Sequence, residues 1–331
     1  MAGKIFMLAM AIFLVLDSGC RTANTHEKAR SEFRDYANAP LQVKNFYKDQ
    51  HQRQTYQFAK SQFDQVADIM AQVKTADEEG LKNLEQNGAI KLITIWGAIL
   101  ELDKLKDESD PDFSLPNSLH AFQTAEAIRK DLPILAQKLG VDADSLDWFI
   151  LAGLLHDVGK IDALLRVTPQ WAVVGDSFPV GCKYSESNIF YDDFKANPDF
   201  YDDRFNSEFG VYSPRIGLDN LVMSFGHDEY IYQVLKDQGV LPKEALSMLR
   251  FHSFYPLHRE NAYLHLLAPS DHEQLRFIRA FSPYDLYSKH EEKLLRDELA
   301  PFYKNLINKY FPPISGEPER LIAWPILQPV G

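Results

Sequence analysis

The residues of this sequence best suited to chemistry are histidines and aspartates that lie among apolar or aromatic residues. His156 and Asp157 end an apolar stretch in LLHDVGK, and His227 and Asp228 follow an aromatic residue in SFGHDEY. A charged aspartate at such a place needs a partner, because an unpaired buried carboxylate costs several kcal/mol or changes its pKa. A metal ion would be a suitable partner, since His offers a neutral nitrogen and Asp offers two oxygens that can bridge two cations.

The candidate ligands are four imidazoles and two carboxylates in five segments: His120, His156, Asp157, His227, His252 and Asp285. Each alone has a simpler interpretation. A lone histidine on an apolar face is more often a core residue bonded to a carbonyl, Asp285 could cap a short helix, and Asp228 could be a surface residue. Together, and without a thiolate, the six favour iron or manganese over structural zinc. The other histidines occur among polar residues and are interpreted as surface residues: His26, His51, His258, His265, His272 and His290.

Composition limits the class of protein. The chain has 331 residues with 35 Lys+Arg against 47 Asp+Glu, a net charge of −12, and 45% hydrophobic residues. This is enough apolar material for one or two folded domains, and it excludes a wholly disordered chain. The acidic balance argues against a nucleic-acid partner. Two cysteines, Cys20 and Cys182, cannot form a disulfide framework or a four-thiolate zinc site.

The N-terminus carries a separate signal. Residues 5–16 are uninterrupted apolar residues after Lys4, too few to span a bilayer but typical of a secretory signal. Ser18, Gly19 and Cys20 follow, as at a lipoprotein cleavage site, although Asp17 fits that pattern poorly. A start that does not belong to the folded protein is the alternative. No other stretch is long and apolar enough to cross a membrane.

The elements that would position the candidate ligands are helical. Residues 41–105 have a mostly helical pattern, within which 75–88 form an exposed connection or short helix, and 107–117 form a loop. Asn117 or Ser118 would cap a helix running to about Lys130, and 146–156 would be a buried helix. Residues 169–182 favour a loop or short strand. Further predicted helices cover 218–236, 242–252, 274–281, 283–290 and 293–310. The proline-rich tail cannot be regular helix. The predicted fold class is all-α or nearly so.

Longer strings around these residues resemble one family. His120, the pair His156 and Asp157, and Asp285 follow the H…HD…D order of the HD-domain superfamily, a helical metal-binding fold. The segments 115–126, 153–160, 169–182, 217–234, 250–256 and 285–289 closely resemble the myo-inositol oxygenases. The resemblance runs from about Phe33 to about Pro312, with an extra segment at 75–88. It divides the chain into a leader (1–29), one catalytic domain (30–313) and a tail (314–331).

The resemblance implies a non-haem diiron oxygenase that cleaves the ring of myo-inositol with O2 as co-substrate, a four-electron oxidation that gives D-glucuronate. The six candidate ligands would hold two iron ions per chain in a mixed-valent pair, with Asp157 as the bridging carboxylate. The family further implies a monomer in the cytoplasm. The apolar leader leaves export, or a lipid anchor at Cys20, as the alternative location.

The resemblance also implies the substrate-binding positions: Arg34, Asp107, Glu108, Ser109, Asp110, Lys160, Gly175, Asp176, His252 and Ser253. Lys160 and Asp157 are the predicted catalytic residues, because an ammonium beside the metal-facing end of the helix would stabilise an alkoxide. Arg34 lies in the N-terminal arm, which suggests that the arm covers the pocket as a lid. Without the resemblance, residues 107–110 would be interpreted as a solvated acidic turn.

Two other functions stay open. Other HD-domain proteins are metal-dependent phosphohydrolases, and the H…HD…D residues alone do not separate them from oxygenases. The carboxylates Asp107, Asp110 and Asp176 nevertheless favour a neutral polyol over a phosphate ester. The second alternative is an exported protein that binds a polyol or a metal without catalysis.

Overall fold

The computed structural model describes residues 36–110, 116–287, 296–314 and 316–329. Within them lie twelve α-helices and one two-stranded sheet, which confirms the predicted, mostly helical fold. The elements are α1 (Leu41–Arg53), α2 (Tyr56–Thr75), α3 (Glu78–Gln86), β1 (Ile90–Thr94), α4 (Ile95–Glu101), α5 (Asn117–Leu139), α6 (Asp147–Leu155), α7 (Asp162–Leu165), α8 (His227–Leu235), α9 (Lys243–Phe251), α10 (Tyr255–His258), α11 (Asp271–Tyr287), α12 (Arg296–Tyr310) and β2 (Leu321–Pro325).

The core of the fold is built around α6, the helix that precedes the first HD pair. Every residue from Trp148 to Leu155 is buried, as the continuous apolar pattern predicts. Helix α6 packs on α5, α9 and α12, and α11 contacts both α5 and α9. Short α3 lies on the outside with no buried residue, which confirms the exposed short helix predicted within 75–88.

A close backbone approach joins the two HD segments. A Cβ placed on Gly159, two residues after Asp157, would lie 2.1 Å from the carbonyl oxygen of His227. Only glycine permits this contact, because real Cβ atoms do not approach an oxygen so closely. The turn after α6 can therefore rest directly on the first residue of α8, which brings the two segments to one place.

The predicted helix over 218–236 is wrong in its first half. Helix α8 begins only at His227, and the preceding residues are extended after a short 3₁₀ turn. Their backbone groups bond to another segment: Val180 N–H donates to Val222 O at 3.0 Å, and Ser224 N–H donates to Phe178 O at 2.7 Å. These long-range bonds replace helical ones, and a local pattern does not reveal them.

Two prolines lie inside helices that were predicted to end beside them. Helix α5 continues through Pro133 to Leu139, and α11 continues through Pro283, the predicted first residue of the second of two separate helices. Both prolines are exposed. A proline on the solvent side of a helix is tolerated because water can bond the carbonyl that loses its partner.

The tail contributes a strand that the sequence did not predict. Strand β2 pairs antiparallel with β1, from Ile90 opposite Pro325 to Thr94 opposite Leu321. Trp324 in β2 is fully buried, and its indole N–H donates to Ile93 O at 3.0 Å. Tyr230 of α8 donates to Pro325 O at 2.7 Å. The tail is thus packed against both β1 and α8.

Several predictions fall on residues that the structure does not describe. The leader 1–29 with Cys20, the arm with Arg34, and the histidines His26 and His290 lie outside the described ranges. Across the residues that are described, none of the helices has the length and apolar character needed to cross a membrane.

Candidate metal centre

The six candidate ligands meet in one buried cluster. They lie at the ends of five different helices, and none is more than 5% exposed: His120 in the first turn of α5, His156 and Asp157 just after α6, His227 at the start of α8, His252 just after α9, and Asp285 in the last turn of α11. Helix ends are suitable places for ligands because a side chain there is fixed by the helix yet can point beyond its packed face. Three overlapping groups of these residues, one of which includes Asp228, have donor atoms close enough together to hold a metal ion.

Asp157 lies between two pairs of histidines. Its Oδ2 is 3.5 Å from Nε2 of His156 and 3.9 Å from Nε2 of His120. Its Oδ1 is 3.3 Å from Nε2 of His227 and 3.8 Å from Nε2 of His252. The two oxygens of one carboxylate therefore face two separate imidazole pairs, an arrangement suited to bridging two cations.

Asp285 completes the first of these pairs. Its Oδ1 lies 3.2 Å from Nε2 of His120 and 3.5 Å from Nε2 of His156. Its other oxygen accepts a hydrogen bond from the Tyr255 hydroxyl at 2.5 Å. Hydrogen bonding from a neighbour orients a ligating carboxylate and is typical of metal sites.

Backbone carbonyls set the protonation of three of the histidines. Nδ1 of His156 lies 2.8 Å from Gly153 O, Nδ1 of His227 lies 3.1 Å from Val173 O, and Nδ1 of His252 lies 2.9 Å from Leu249 O. A carbonyl only accepts, so each Nδ1 must carry the hydrogen, and when the ring is neutral its Nε2 presents a lone pair to the centre. This is the tautomer that metal-binding histidines need.

The facing nitrogens fit a cation between them. Nε2 of His120 is 3.3 Å from Nε2 of His156, and Nε2 of His227 is 3.1 Å from Nε2 of His252. Two lone pairs at such distances repel unless positive charge lies between them. Four imidazoles and two carboxylates without a thiolate match the donors that suit iron or manganese. The residues present therefore fit a pair of such ions.

The carboxylates of the cluster favour positive charge beside them, whether a proton or a metal cation. Burial by itself lowers the pKa of a histidine, yet the carboxylates of Asp228 and Asp157 outweigh burial and raise the pKa of His227 to about 10. Burial by itself raises the pKa of a carboxyl group, yet the charge of Lys160 and the nearby histidines hold the pKa of Asp157 well below its usual range. The carboxylates stay ionised and attract positive charge.

A polar pocket opens beside the cluster. It has a volume of about 370 Å³ counted to its open mouth. Of the predicted substrate-binding residues, eight line it: Asp107, Ser109, Asp110, Lys160, Gly175, Asp176, His252 and Ser253. Glu108 is not among the lining residues, although its backbone N–H donates to the side chain of Gln170. Arg34 lies outside the described residues, so the lid stays a prediction.

Lys160 connects the pocket to the candidate metal ligands. Its Nζ lies 2.7 Å from Asp107 Oδ2 and 2.8 Å from Asp157 Oδ2, and the residue is 7% exposed. Burial by itself would lower the pKa of Lys160, but these two carboxylates outweigh it and the net shift is upward. The group is therefore an ammonium at neutral pH, and it holds positive charge at the pocket wall.

The segment 107–110 is a structured wall of the pocket, unlike a solvated acidic turn. Asp107 Oδ1 accepts the backbone N–H of Ser109 at 2.8 Å and the Ser109 hydroxyl at 2.6 Å. Together with Lys160, these bonds engage both oxygens of Asp107. Its carboxylate is held in one orientation beside the pocket.

Several residues at the site were not among those predicted from the sequence. Tyr36, Tyr47 and Tyr255 line the pocket, and such tyrosines cannot be distinguished from core residues without the fold. Asp228 is also buried, so its interpretation as a surface residue is wrong. Its Oδ1 is 2.9 Å from His227 Nε2, and its carboxylate accepts hydrogen bonds from Ser177 and Ser253. The sequence did contain a hint that Asp228 belongs to the site, because SFGHDEY repeats the HD pair of LLHDVGK.

Two histidines interpreted as surface residues are buried. His51 is 1% exposed and stacks on Phe194 with ring centroids 4.0 Å apart. His258 is 6% exposed, and its Nε2 lies 2.9 Å from the backbone carbonyl of the candidate ligand His252. Their neighbours in sequence are polar, but the residues that cover them come from distant segments. His265 and His272 are exposed as predicted.

The protein is mostly helical and has a buried centre of histidines and aspartates that could hold metal ions beside a polar pocket. These features are those of a helical metalloprotein that binds a small polar molecule. A family model described as myo-inositol oxygenase matches residues 41–315. An inositol oxygenase of Dictyostelium discoideum is 42% identical over 299 residues, which cover 89% of this chain and 93% of the relative. That of Homo sapiens is 44% identical over 291 residues, covering 87% and 91%. That of Danio rerio is 42% identical over 291 residues, covering 87% and 94%. The chain therefore belongs to the myo-inositol oxygenase family, and it is an oxygenase and hence an oxidoreductase.

Proposed function

We propose that this protein uses O2 to cleave the ring of myo-inositol to D-glucuronate at a mixed-valent diiron centre. The observation that carries the proposal is the position of Asp157. Its two oxygens face two histidine pairs, and one of them also bonds Lys160, which lines the pocket. A carboxylate that joins a two-cation site to a polar pocket supports a substrate bound directly beside the metals.

The six candidate ligands would be shared between two iron ions. His120, His156 and Asp285 would hold one iron, His227 and His252 would hold the other, and Asp157 would lie between them. When bound, iron supplies the redox chemistry that O2 needs in order to react with a closed-shell polyol. In the balanced reaction one ring C–C bond breaks, one carbon becomes a carboxylate and its neighbour an aldehyde, and the second oxygen atom of O2 leaves as water.

The pocket has the chemistry that an uncharged polyol requires. Such a substrate has many hydroxyl groups and little apolar surface, so it needs several hydrogen-bond partners at fixed positions. Asp107, Asp110 and Asp176 can accept hydroxyl hydrogens, and Ser109 and Ser253 can donate or accept. Three acidic side chains around one lysine would repel a phosphate ester, which is why the pocket favours a polyol over a phosphohydrolase substrate.

Lys160 acts in this proposal through its charge. Its raised pKa keeps the ammonium protonated at neutral pH, so it does not serve as the base. Positioned between Asp107 and Asp157, it would stabilise negative charge that develops on a substrate oxygen in the pocket. Tyr36, Tyr47 and Tyr255 form part of the wall and reduce the access of water. The predicted arm over the pocket would extend that wall.

Iron content, inositol-dependent O2 uptake and uronate formation test this function together. The purified protein is expected to bind two irons per chain and to consume O2 only with myo-inositol. The variant Asp157→Ala is expected to lose both iron and activity, whereas Asp192→Ala, at an exposed site, keeps both. Release of phosphate from nucleotides without inositol-dependent O2 uptake would instead identify a phosphohydrolase. Tight inositol binding without any product would identify a non-catalytic binder.

Other expectations from the family resemblance are part of the same proposal. They are an HD-type helical domain over residues 30–313, a monomeric state and a cytoplasmic location. Fractionation of cells that express the full chain, with and without residues 1–29, tests the location. Release from membranes only after removal of the leader would favour a lipid anchor at Cys20.

A further inference from the structure

Two buried glutamines lie one helical turn apart on the last turn and C-terminal cap of α1. Gln50 is 3% exposed and Gln54 is fully buried. Glutamine side chains lose rotamer freedom on burial, and an amide is costly to bury unless it is hydrogen-bonded, so two of them at one helix end need a reason. The residues that they contact belong to loops that reach the metal centre and the pocket.

Gln50 holds the loop that forms one wall of the pocket. Its Nε2 donates to Val174 O at 3.1 Å and to Asp176 O at 3.2 Å. The two carbonyls flank Gly175, and both accept, so the amide must present its NH2 group to them. The backbone is therefore fixed at Val174, just before the two pocket-lining residues, and at Asp176, the second of them.

The loop conformation depends on this contact. Gly175 has a φ of +95°, in the region that favours glycine, and a Cβ placed on it would lie 2.8 Å from Gln50 Nε2. The next residue, Asp176, accepts the Tyr47 hydroxyl at 3.1 Å. Helix α1 thus presses closely on the loop, and Gln50 provides two of the bonds that keep its unusual backbone in place.

Gln54 holds the segment that leads into α8. Its Nε2 donates to Phe225 O at 2.7 Å, and its Oε1 accepts Phe225 N–H at 2.9 Å. Both backbone groups of Phe225 are thereby paired, as a neighbouring strand would pair them. Phe225 lies two residues before His227, so this pairing fixes the chain where it enters the metal centre.

The two contacts act on one connected unit. Between them, Val173 O accepts the backbone N–H of His227 at 2.6 Å and faces its Nδ1 at 3.1 Å. Gln50 bonds the carbonyls of Val174 and Asp176, so its loss shifts chiefly the side chain of Asp176. Gln54 bonds Phe225, so its loss shifts chiefly the chain that leads into His227. Helix α1 therefore bonds the pocket loop through Gln50 and the segment before His227 through Gln54.

We propose that Gln50 and Gln54 are positioning residues with separate effects. Gln50 holds the loop of Gly175 and Asp176 where it contacts the substrate, and Gln54 holds the chain that orients His227. The part that concerns Gln50 rests on the proposed function, because it assigns substrate contact to the 175–176 loop. The part that concerns Gln54 requires only that the centre binds iron.

The replacement Gln50→Met keeps the size of the side chain and removes both donated hydrogen bonds. KM for myo-inositol is expected to rise about five- to tenfold, with kcat and iron affinity close to those of the wild type. Gln54→Met is expected to weaken iron binding about tenfold, measured by competition with a chelator, and to restore normal KM when iron is saturating. Gln42→Met, at an exposed position of the same helix, is the matched control and leaves both quantities unchanged.

Thermal unfolding shows whether each variant is folded. If Gln50→Met does not fold, Gln50→Asn decides, because its shorter amide reaches at most one of the two carbonyls and should give an intermediate rise in KM. An unchanged KM in a folded Gln50 variant overturns the role of Gln50, and wild-type iron affinity in Gln54→Met overturns that of Gln54. A wild-type protein that consumes no O2 with inositol would instead refute the proposed function, while the iron measurement would still test Gln54.

Discussion

His227 and His252 face each other through their Nε2 atoms, 3.1 Å apart, while the Nδ1 of each is committed to a backbone carbonyl. The side chains cannot relieve this contact by rotating without breaking those carbonyl bonds. Positive charge between the two nitrogens, either a proton or a metal ion, therefore holds them at this distance.

Metal removal should consequently destabilise the protein. Chelation is expected to lower the midpoint of thermal unfolding, and added Fe²⁺ should restore it, because a ligand at about 100 times its Kd stabilises the folded state by about 2.7 kcal/mol. Scanning calorimetry with chelator, and then with iron returned, measures the effect. Identical midpoints in all conditions would contradict a metal centre at this cluster.

Removal of the lysine charge should damage catalysis more than folding. In Lys160→Met, Asp107 and Asp157 lose their shared partner and a developing negative charge on the substrate loses its nearest cation. We expect kcat/KM for myo-inositol to fall by about 100-fold or more. Lys195→Met, at an exposed surface pair, is the control. Unchanged steady-state kinetics in Lys160→Met would eliminate its catalytic role.

Asp228 should matter although the family resemblance did not select it. Its carboxylate contacts His227 Nε2 and is held by Ser177 and Ser253, so it influences both the charge and the orientation of that histidine. Asp228→Asn removes a negative charge 2.9 Å from the metal-facing nitrogen of His227 and is expected to weaken iron binding about 10- to 100-fold. Asp192→Asn provides a matched surface change. Chelator competition gives the affinities, and equal values would show that Asp228 is only a packing residue.

How far the sequence predicts this protein can be judged from particular residues. Helix α6 was predictable because its residues are apolar on every side, and all eight from Trp148 to Leu155 are buried. The HD pair at its end indicated the first candidate ligands. His51 and His258 were misjudged because sequence neighbours describe only local polarity, whereas Phe194 covers His51 from more than a hundred residues away. Strand β2 was missed for the same reason, since its partner β1 lies far away in the sequence: Trp324 bonds Ile93, 231 residues earlier.

The contact between the two HD segments can be tested at Gly159. An added methyl would collide with the backbone carbonyl of His227, and two backbones cannot move apart without shifting ligands. Gly159→Ala should therefore lower the free energy of unfolding by about 1–3 kcal/mol or more and reduce bound iron. Gly80→Ala, in exposed α3, should change stability by no more than about 1 kcal/mol. A stable Gly159→Ala protein with full iron content would show that the two segments are not so tightly coupled.

Buried His51 should make stability depend on pH. Burial lowers the pKa of His51 from 6.5 to about 3, so between these values the unfolded chain binds a proton that the folded protein does not. Stability then rises with pH over this range and falls as pH drops below 6.5, by about 2–3 kcal/mol between pH 6.5 and 4.5. His51→Phe keeps a ring on Phe194 and cannot be protonated, so its unfolding free energy should lose this part of the pH dependence. Urea unfolding of both metal-free proteins at several pH values measures the difference, which isolates His51 because every other titrating group is shared. Parallel pH profiles for the two proteins would mean that His51 is protonated within the fold.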